Sequence, residues 1–127
     1  MILAIKTAGD PAEIYLLNDA GEVVAEKIWD AERTLAKNLL GEIEKLLGGK
    51  FDELSGLIVF TGPGSFTGLR IGITTANTIA YAQNIPIVGA NSGDWRADGL
   101  EKLQQGENDR IVLPEYGAEA NITKPKK

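Results

Sequence analysis

The segment 62–72, which reads Gly-Pro-Gly-Ser-Phe-Thr-Gly-Leu-Arg-Ile-Gly, constrains the fold of this chain more than any other part of the sequence. An apolar stretch at 57–60, typical of a buried strand, precedes it, and residues 73–83 after it have the pattern of a helix. A strand, a glycine-rich turn and a helix in this order form the usual setting for phosphate binding. The turn lacks the lysine of a phosphate loop, and its glycines continue into the helix, which points toward a helix built for close contact.

The glycines of this turn do not follow a nucleotide-binding pattern. A Walker loop ends in Gly-Lys-Ser/Thr, whereas leucine and arginine follow Gly68 here. A dinucleotide fingerprint would place its third glycine at position 67, where a threonine stands. Backbone N–H groups at the start of a helix can still hold an anion. One candidate site therefore remains in the turn, an anion-binding loop formed by Gly62, Gly64 and Ser65.

The rest of the pattern predicts an α/β domain with a five-stranded mixed sheet. Apolar runs bounded by turn residues predict strands at 2–6, 13–17, 23–29, 57–60 and 85–90. Leucines and isoleucines at helical spacing predict a first helix from residue 30 to the Gly48-Gly49 pair. Three strands, a helix, a strand, a helix and a strand is the order of a ribonuclease H-like domain. The last two strands are then expected to lie parallel to the first.

The composition excludes several classes of chemistry. The chain has no cysteine and no histidine, which excludes disulfides, thiol catalysis, metal sites built on either residue and a Ser-His hydrolase. Its net charge is −5, although Lys124, Lys126 and Lys127 lie at its end. The rest of the chain is more acidic still, which argues against direct contact with nucleic acid. With no apolar run of about 18 residues and no signal peptide, the sequence predicts a cytoplasmic protein.

The helix after the turn carries a stripe of small residues. Ser65 is a suitable N-cap, and Gly68, Gly72 and Ala76 follow at a spacing of four, which places them on one side of the helix. Each interior glycine costs a helix roughly 0.8–1 kcal/mol relative to alanine, so another element is expected to approach the backbone closely. That element is either the chain's own sheet or a helix of another subunit. Apolar side chains on several sides of the helix favour the second interpretation.

This interpretation defines a predicted protein interface. With Arg70 at its edge, the expected contact residues are Phe66, Thr67, Gly68, Leu69, Arg70, Gly72, Ile73 and Ala76. A bulky change such as Gly72→Leu is expected to abolish pairing and to leave the fold largely intact. The sequence predicts no catalytic residue and no metal ligand, and Asp10 is interpreted as a turn residue that makes local hydrogen bonds.

The segment 62–72, together with Ile73 and Ala76, resembles the signature of the TsaB (YeaZ) family. Further matches are the opening strand at 2–5, the hairpin up to Val24, and residues 85–89. The resemblance implies the actin/Hsp70-like (ASKHA) fold, which has two ribonuclease H-like lobes. It also implies a non-catalytic subunit that pairs, through helices of its first lobe, with the catalytic subunit TsaD. TsaD transfers a threonylcarbamoyl group to N6 of adenosine 37 in tRNA, and the ATPase TsaE docks on the pair.

Two departures from the family pattern modify these expectations. Lys6-Thr7-Ala8 stands where members carry Asp-Thr-Ala, which weakens any metal–nucleotide role. Members are also near twice as long, so we expect a single ribonuclease H-like lobe at 1–92 with the second lobe largely absent. Residues 93–127 are then a polar connector and tail, with one short helix that has little to bury and an extended piece at 111–114. A one-lobed chain has half of the nucleotide cleft, so no cofactor is expected.

The sequence leaves two other functions open. One is a nucleotide-hydrolysing or peptidase-like enzyme that uses Ser65, Thr67 or Lys6, although no histidine is present to activate a hydroxyl. The other is a plain structural homodimer formed through the same helices. The expected partners are thus a TsaD-like catalytic subunit, a TsaE-like ATPase, or a second copy of the chain.

Overall fold

A computed structural model of the chain describes residues 1–115, with the exception of the Glu32 side chain. The strands are β1 (Ile2–Lys6), β2 (Ala12–Leu17), β3 (Val23–Trp29), β4 (Gly56–Phe60) and β5 (Ile87–Ala90). The helices are α1 (Leu35–Leu47), α2 (Phe66–Gln83) and α3 (Trp95–Gln104), and short 3-10 turns lie at Glu32–Thr34 and Phe51–Glu53. None of the helices in this part of the chain has the length and hydropathy that a membrane span requires.

The five strands form one mixed sheet in the order β3-β2-β1-β4-β5. The first three strands pair antiparallel, and β4 and β5 run parallel to β1, each reached through a helical crossover. The predicted sheet is therefore confirmed in its number of strands and in their directions. Across β1, the register places Ala4 between Tyr15 and Ile58, so these three side chains share one face of the sheet.

The helices α1 and α2 cover the other face of the sheet. The helix α1 buries one stripe of apolar residues, Leu35, Leu39, Ile43 and Leu47. It ends at Gly48, whose φ of 61° needs the left-handed conformation that glycine adopts readily. The helix α2 packs on β4, β1 and β5 and also contacts α1. Since α2 has neighbours on two sides, its apolar residues on several faces are explained largely within this chain.

The helix α3 packs on the first face, and the expectation of little burial after residue 92 is wrong. Trp95 is 5% exposed and contacts the rings of Tyr15 and Phe60. A Cβ atom added to Gly99 would lie 2.3 Å from Cγ2 of Ile58, so the helix backbone approaches β4 closely. Two features of the sequence explain this packing: a glycine within the helix, and one large aromatic residue at its start.

The segment after α3 runs along the free edge of β5. The backbone N–H of Asp109 donates to the Ile87 carbonyl at 2.8 Å, and the Asp109 carboxylate accepts from the Gly89 N–H at 2.9 Å. The Asn77 side chain donates to and accepts from the backbone of Val112, which is buried. The predicted piece at 111–114 is thus held partly through side chains and does not pair as a strand. Residues 116–127, which include the lysines at the end of the chain, lie outside the described residues.

Candidate protein interface and ligand cleft

The helix α2 begins directly after Ser65. The Ser65 hydroxyl accepts a hydrogen bond from the Gly68 N–H at 3.3 Å, which confirms the predicted N-cap. The helix therefore begins at Phe66, and residues 66–72 of the glycine-rich segment form its first two turns. The clear helical pattern at 73–83 covers only the later part of α2.

The turn before α2 packs against its own chain. Gly62 has a φ of 128°, and an added Cβ atom would lie 2.1 Å from the Glu115 carbonyl oxygen. At Gly64 an added Cβ atom would lie 2.4 Å from Cβ of Ala8. The Ser65 N–H donates to the Ala8 carbonyl at 2.6 Å, so this donor is already used within the chain. The anion-binding loop stays a prediction, and residues 1–115 contain no acidic cluster that could hold a metal ion.

The glycine stripe of α2 is filled by the end of β1. An added Cβ atom would lie 2.3 Å from the Thr7 carbonyl oxygen at Gly68, and 2.1 Å from Thr7 Oγ1 at Gly72. Thr7 is 2% exposed, and its hydroxyl donates to the Gly68 carbonyl at 2.7 Å. The expectation that another subunit fills this stripe is therefore wrong, because Thr7 of the same chain does so.

The predicted contact residues divide between the core and the surface. Four of them, Leu69, Gly72, Ile73 and Ala76, are buried within the chain. Gly68 is half-buried, and Phe66, Thr67 and Arg70 are exposed. The side of α2 that faces solvent is consequently not the glycine stripe but the opposite side. Any partner of α2 must contact this outer side.

A groove on the outer side lies between α1 and α2. Its volume is about 370 Å³, and its lining includes Ala36, Phe66, Thr67, Arg70, Ile71 and Thr74. We call it the outer groove. Phe66 is 53% exposed, and the Arg70 guanidinium lies 5.3 Å from the centre of its ring. Leu40, one turn after Ala36 on α1, is 54% exposed. The helical repeat in the sequence does not distinguish Leu40 from the buried leucines of α1.

A second concavity lies on the opposite face of the sheet, beside α3. Its volume is about 580 Å³, and its lining includes Lys6, Glu13, Tyr15, Trp95 and Arg96. We call it the aromatic cleft. The Tyr15 and Trp95 rings lie 6.2 Å apart and form an apolar wall, whereas Lys6 and Arg96 bring positive charge to it. The sequence patterns did not predict this cleft, because it depends on the placement of α3.

The Tyr15 hydroxyl is expected to make the free energy of unfolding depend on pH. Burial and the 2.5 Å hydrogen bond to Glu13 raise the pKa of Tyr15 from 10.0 to about 12. Above pH 10 the unfolded chain loses this proton while the folded chain keeps it. The free energy of unfolding is therefore expected to fall between pH 10 and pH 12, by up to about 1.4 kcal/mol per pH unit. Urea denaturation of the wild type and of Tyr15→Phe checks this, because the variant should lose that part of the slope. Identical slopes would contradict the assignment to Tyr15.

Comparison of the sequence with known proteins identifies the family of this chain. Residues 19–109 match the family model described as TsaD: tRNA N6-adenosine threonylcarbamoyltransferase. The tRNA threonylcarbamoyladenosine biosynthesis protein TsaB of Escherichia coli (strain K12) is 31% identical over 111 residues, which cover 80% of this chain and 47% of that protein. The protein of the same name in Bacillus subtilis (strain 168) is 36% identical over 94 residues, which cover 72% and 41%.

A solved structure agrees with these sequence matches. The structure of YeaZ from Pseudomonas aeruginosa superposes with a TM-score of 0.62 at 26% identity, covering 71% of this chain and 42% of the other. The chain thus spans somewhat less than half of the proteins that it matches. Together with the mixed sheet, this likeness confirms the predicted fold class, a ribonuclease H-like arrangement of the actin/Hsp70-like fold.

Proposed function

Since the chain belongs to the TsaB (YeaZ) family and carries a TsaD-like domain at residues 19–109, we propose that it is a non-catalytic subunit of tRNA threonylcarbamoyladenosine formation. Its role is to bind and position a TsaD-like catalytic subunit in the cytoplasm, and a TsaE-like ATPase docks on that pair. The transferase acts on adenosine 37 of the tRNA, and this chain does not contact the tRNA directly. The outer groove is the observation that carries the proposal.

The outer groove has the properties of a seat for a helical partner. The half-exposed ring of Phe66 lines the groove, and Leu40, one turn after the groove residue Ala36, is exposed as well. Large apolar groups exposed on neighbouring helices mark interaction surfaces. Phe66, Arg70 and Thr74 follow one another at a spacing of four along α2, which forms a ridge. A partner helix that packs its own ridge into the outer groove would bury Phe66 and place a carboxylate against Arg70.

The relation to TsaD supports a partner of the same fold. The family model that matches this chain describes TsaD, so both proteins share this domain. A TsaD-like subunit therefore has a counterpart of α1 and α2, and two such helix pairs can pack across a pseudo-two-fold axis. The same reasoning allows a second copy of this chain to occupy the outer groove when the catalytic subunit is absent.

The arrangement of the candidate nucleophiles supports a non-catalytic role. The sequence contains no histidine and no cysteine. Ser65 and Thr67 lie at the start of α2, and the Ser65 hydroxyl caps the helix. Lys6 lies on the opposite face of the sheet, where its Nζ is 4.6 Å from the centre of the Phe60 ring. A hydroxyl nucleophile needs a base beside it, and this placement separates Lys6 from both hydroxyls.

Replacing Phe66 with aspartate tests the outer groove. The change adds a charge to a surface that a partner must desolvate, so we expect the affinity for the TsaD-like subunit of the same organism to fall at least roughly tenfold. Ile111→Asp is the matched control, because Ile111 is 69% exposed and lies away from the outer groove. Titration calorimetry measures both affinities, and circular dichroism verifies that both variants fold.

Three outcomes of this experiment would contradict the proposal. Equal affinities for Phe66→Asp and the wild type would show that the partner binds elsewhere. Equal losses in Phe66→Asp and Ile111→Asp would show a non-specific effect of the charge. A chain that is dimeric by mass measurement and does not bind the catalytic subunit would be a structural homodimer.

A further inference from the structure

The two edges of the sheet differ in how their backbone groups are satisfied. At the outer edge of β5, the Ile87 N–H donates to Asn108 Oδ1 at 3.1 Å, and the Ile87 carbonyl accepts from the Asp109 N–H at 2.8 Å. The Gly89 N–H donates to the Asp109 carboxylate at 2.9 Å, and the Gly89 carbonyl accepts from Lys102 Nζ at 2.7 Å. Side chains and loop backbone thus take the place of a sixth strand at this edge.

The edge formed by β3 has no such cover. Within residues 1–115, only β2 pairs with the backbone of β3, so the N–H and C=O groups along its other side have no partner there. Three apolar side chains of the strand are exposed as well, Val23 by 41%, Val24 by 50% and Ile28 by 47%. A seven-residue edge of this kind is a place where another extended segment can pair.

Two charged side chains lie in the middle of this edge, on opposite faces of the sheet. The register places Glu26 across from Tyr15 and Lys27 across from Ile14. Lys27 Nζ lies 3.6 Å from the Glu42 carboxylate of α1, and this is the ion pair found within 4.0 Å among the side chains that the structure describes. The charge of Lys27 is therefore compensated within the chain.

The Glu26 carboxylate is available to a cation from another molecule. It is exposed, and no described cation lies within 4.0 Å of it, although Arg96 stacks over the ring of the neighbouring Tyr15. Val24 and Ile28 flank it two positions away along the strand. An added strand is thus complementary when it places a lysine or arginine opposite Glu26 and apolar residues two positions before and after that cation.

A second copy of β3 does not meet this requirement. Residues that lie opposite one another in antiparallel strands share a face, so Lys27 of a second copy cannot lie opposite Glu26. Registers centred on residue 25, 26 or 27 instead place Val24, Glu26 or Ile28 opposite Glu26. The position of this carboxylate thus opposes pairing between copies and favours a segment of a different chain.

We propose that the β3 edge binds an extended segment of a partner protein, which joins the sheet as a sixth strand with a lysine or arginine opposite Glu26. Backbone hydrogen bonds supply the affinity, and the cation with its apolar neighbours sets the register. The net charge of −5 is unfavourable for a nucleic acid at this edge. Since the outer groove lies between α1 and α2, the inference does not depend on the proposed pairing.

A designed peptide tests the edge directly. The sequence Thr-Val-Thr-Lys-Thr-Ile-Thr, with both termini blocked, places its lysine opposite Glu26 when it pairs antiparallel. We expect backbone amide shifts at residues 23–29 of the full-length chain to titrate at low salt with a Kd of about 1 mM or lower. The outward N–H groups of β3 should exchange more slowly when the peptide is bound. A control peptide with glutamate in place of lysine should bind at least roughly fivefold more weakly.

Charge reversal in the protein provides the matched variants. Glu26→Lys should reverse the preference, so that the glutamate peptide binds better than the lysine peptide. Glu44→Lys, at an exposed position of α1, should keep the wild-type preference, and so should Phe66→Asp in the outer groove. No saturable shift with the lysine peptide, or an unchanged preference in Glu26→Lys, would overturn the inference. Slow exchange of the outward N–H groups before any peptide is added would also overturn it, because this chain or a second copy would then already occupy the edge.

Discussion

The Gly72→Leu variant is expected to fail to fold rather than to lose its partner. An added Cβ atom at this position would lie 2.1 Å from Thr7 Oγ1 and 3.2 Å from Thr7 Cβ, and Thr7 is a short branched residue in the core. Leucine adds three more carbon atoms in the same space, so α2 would have to leave β1. We expect the free energy of unfolding to fall by at least about 3 kcal/mol, and by about 1–3 kcal/mol for Gly72→Ala.

A matched glycine on α1 controls for the helical propensity of the added side chain. Gly41 is exposed, and an added Cβ atom there would have no neighbour within 4 Å. Gly41→Ala should therefore raise the free energy of unfolding by roughly 0.5–1 kcal/mol, the opposite sign to Gly72→Ala. Urea denaturation measures both changes. Equal effects of the two substitutions would contradict the close packing of α2 on β1.

Removal of the Thr7 hydroxyl tests the same contact from the other side. Thr7→Ala alone should cost about 1 kcal/mol, because its hydrogen bond to the Gly68 carbonyl is lost. The double variant Thr7→Ala/Gly72→Ala should be less destabilised than the sum of the single changes, since the atom nearest the added methyl group is gone. Strict additivity would show that the two residues do not share a contact.

Local patterns were sufficient to predict most of the sheet and the start of its second helix. The bounds of β1 and β3 agree with the apolar runs at 2–6 and 23–29, because turn residues delimit both runs. The N-cap at Ser65 and the end of α1 at Gly48 follow from the conformations that serine and glycine prefer. These features depend on residues close together in the chain, which is why the sequence alone predicts them.

The candidate site was harder to predict, because it depends on contacts between distant residues. The spacing of Gly68 and Gly72 shows correctly that something approaches α2, but it does not identify Thr7, whose hydroxyl bonds to a residue 61 positions away. The rotation of α2 on the sheet decides that Leu69 is buried and Phe66 is half-exposed. Composition treats these two apolar residues alike. Of the predicted interface residues, only Phe66, Thr67 and Arg70 are therefore on the exposed side of α2.

Truncation of Trp95 to alanine is expected to destabilise the chain by about 3–5 kcal/mol. The indole is 5% exposed and lies 6.2 Å from the Tyr15 ring and 6.0 Å from the Phe60 ring, so its removal leaves a cavity between α3 and the sheet. A loss of this size is a large part of the stability of an ordinary domain. The sequence predicted a boundary at residue 92, and such a loss would instead make α3 part of the folding unit.

The control for this cavity is Trp95→Phe, which keeps an aromatic ring in the cluster and should cost less than half as much as Trp95→Ala. Circular dichroism in urea is the suitable measurement, because the substitution removes a fluorescent tryptophan. Deletion of residues 93–127 provides an independent comparison, since it removes α3 and exposes the apolar face around Ile58. If Trp95→Ala costs less than about 1 kcal/mol and residues 1–92 fold alone, then α3 is an appendage and the predicted boundary is correct. If both changes unfold the chain, α3 belongs to the same folding unit as the sheet, and the predicted boundary is wrong.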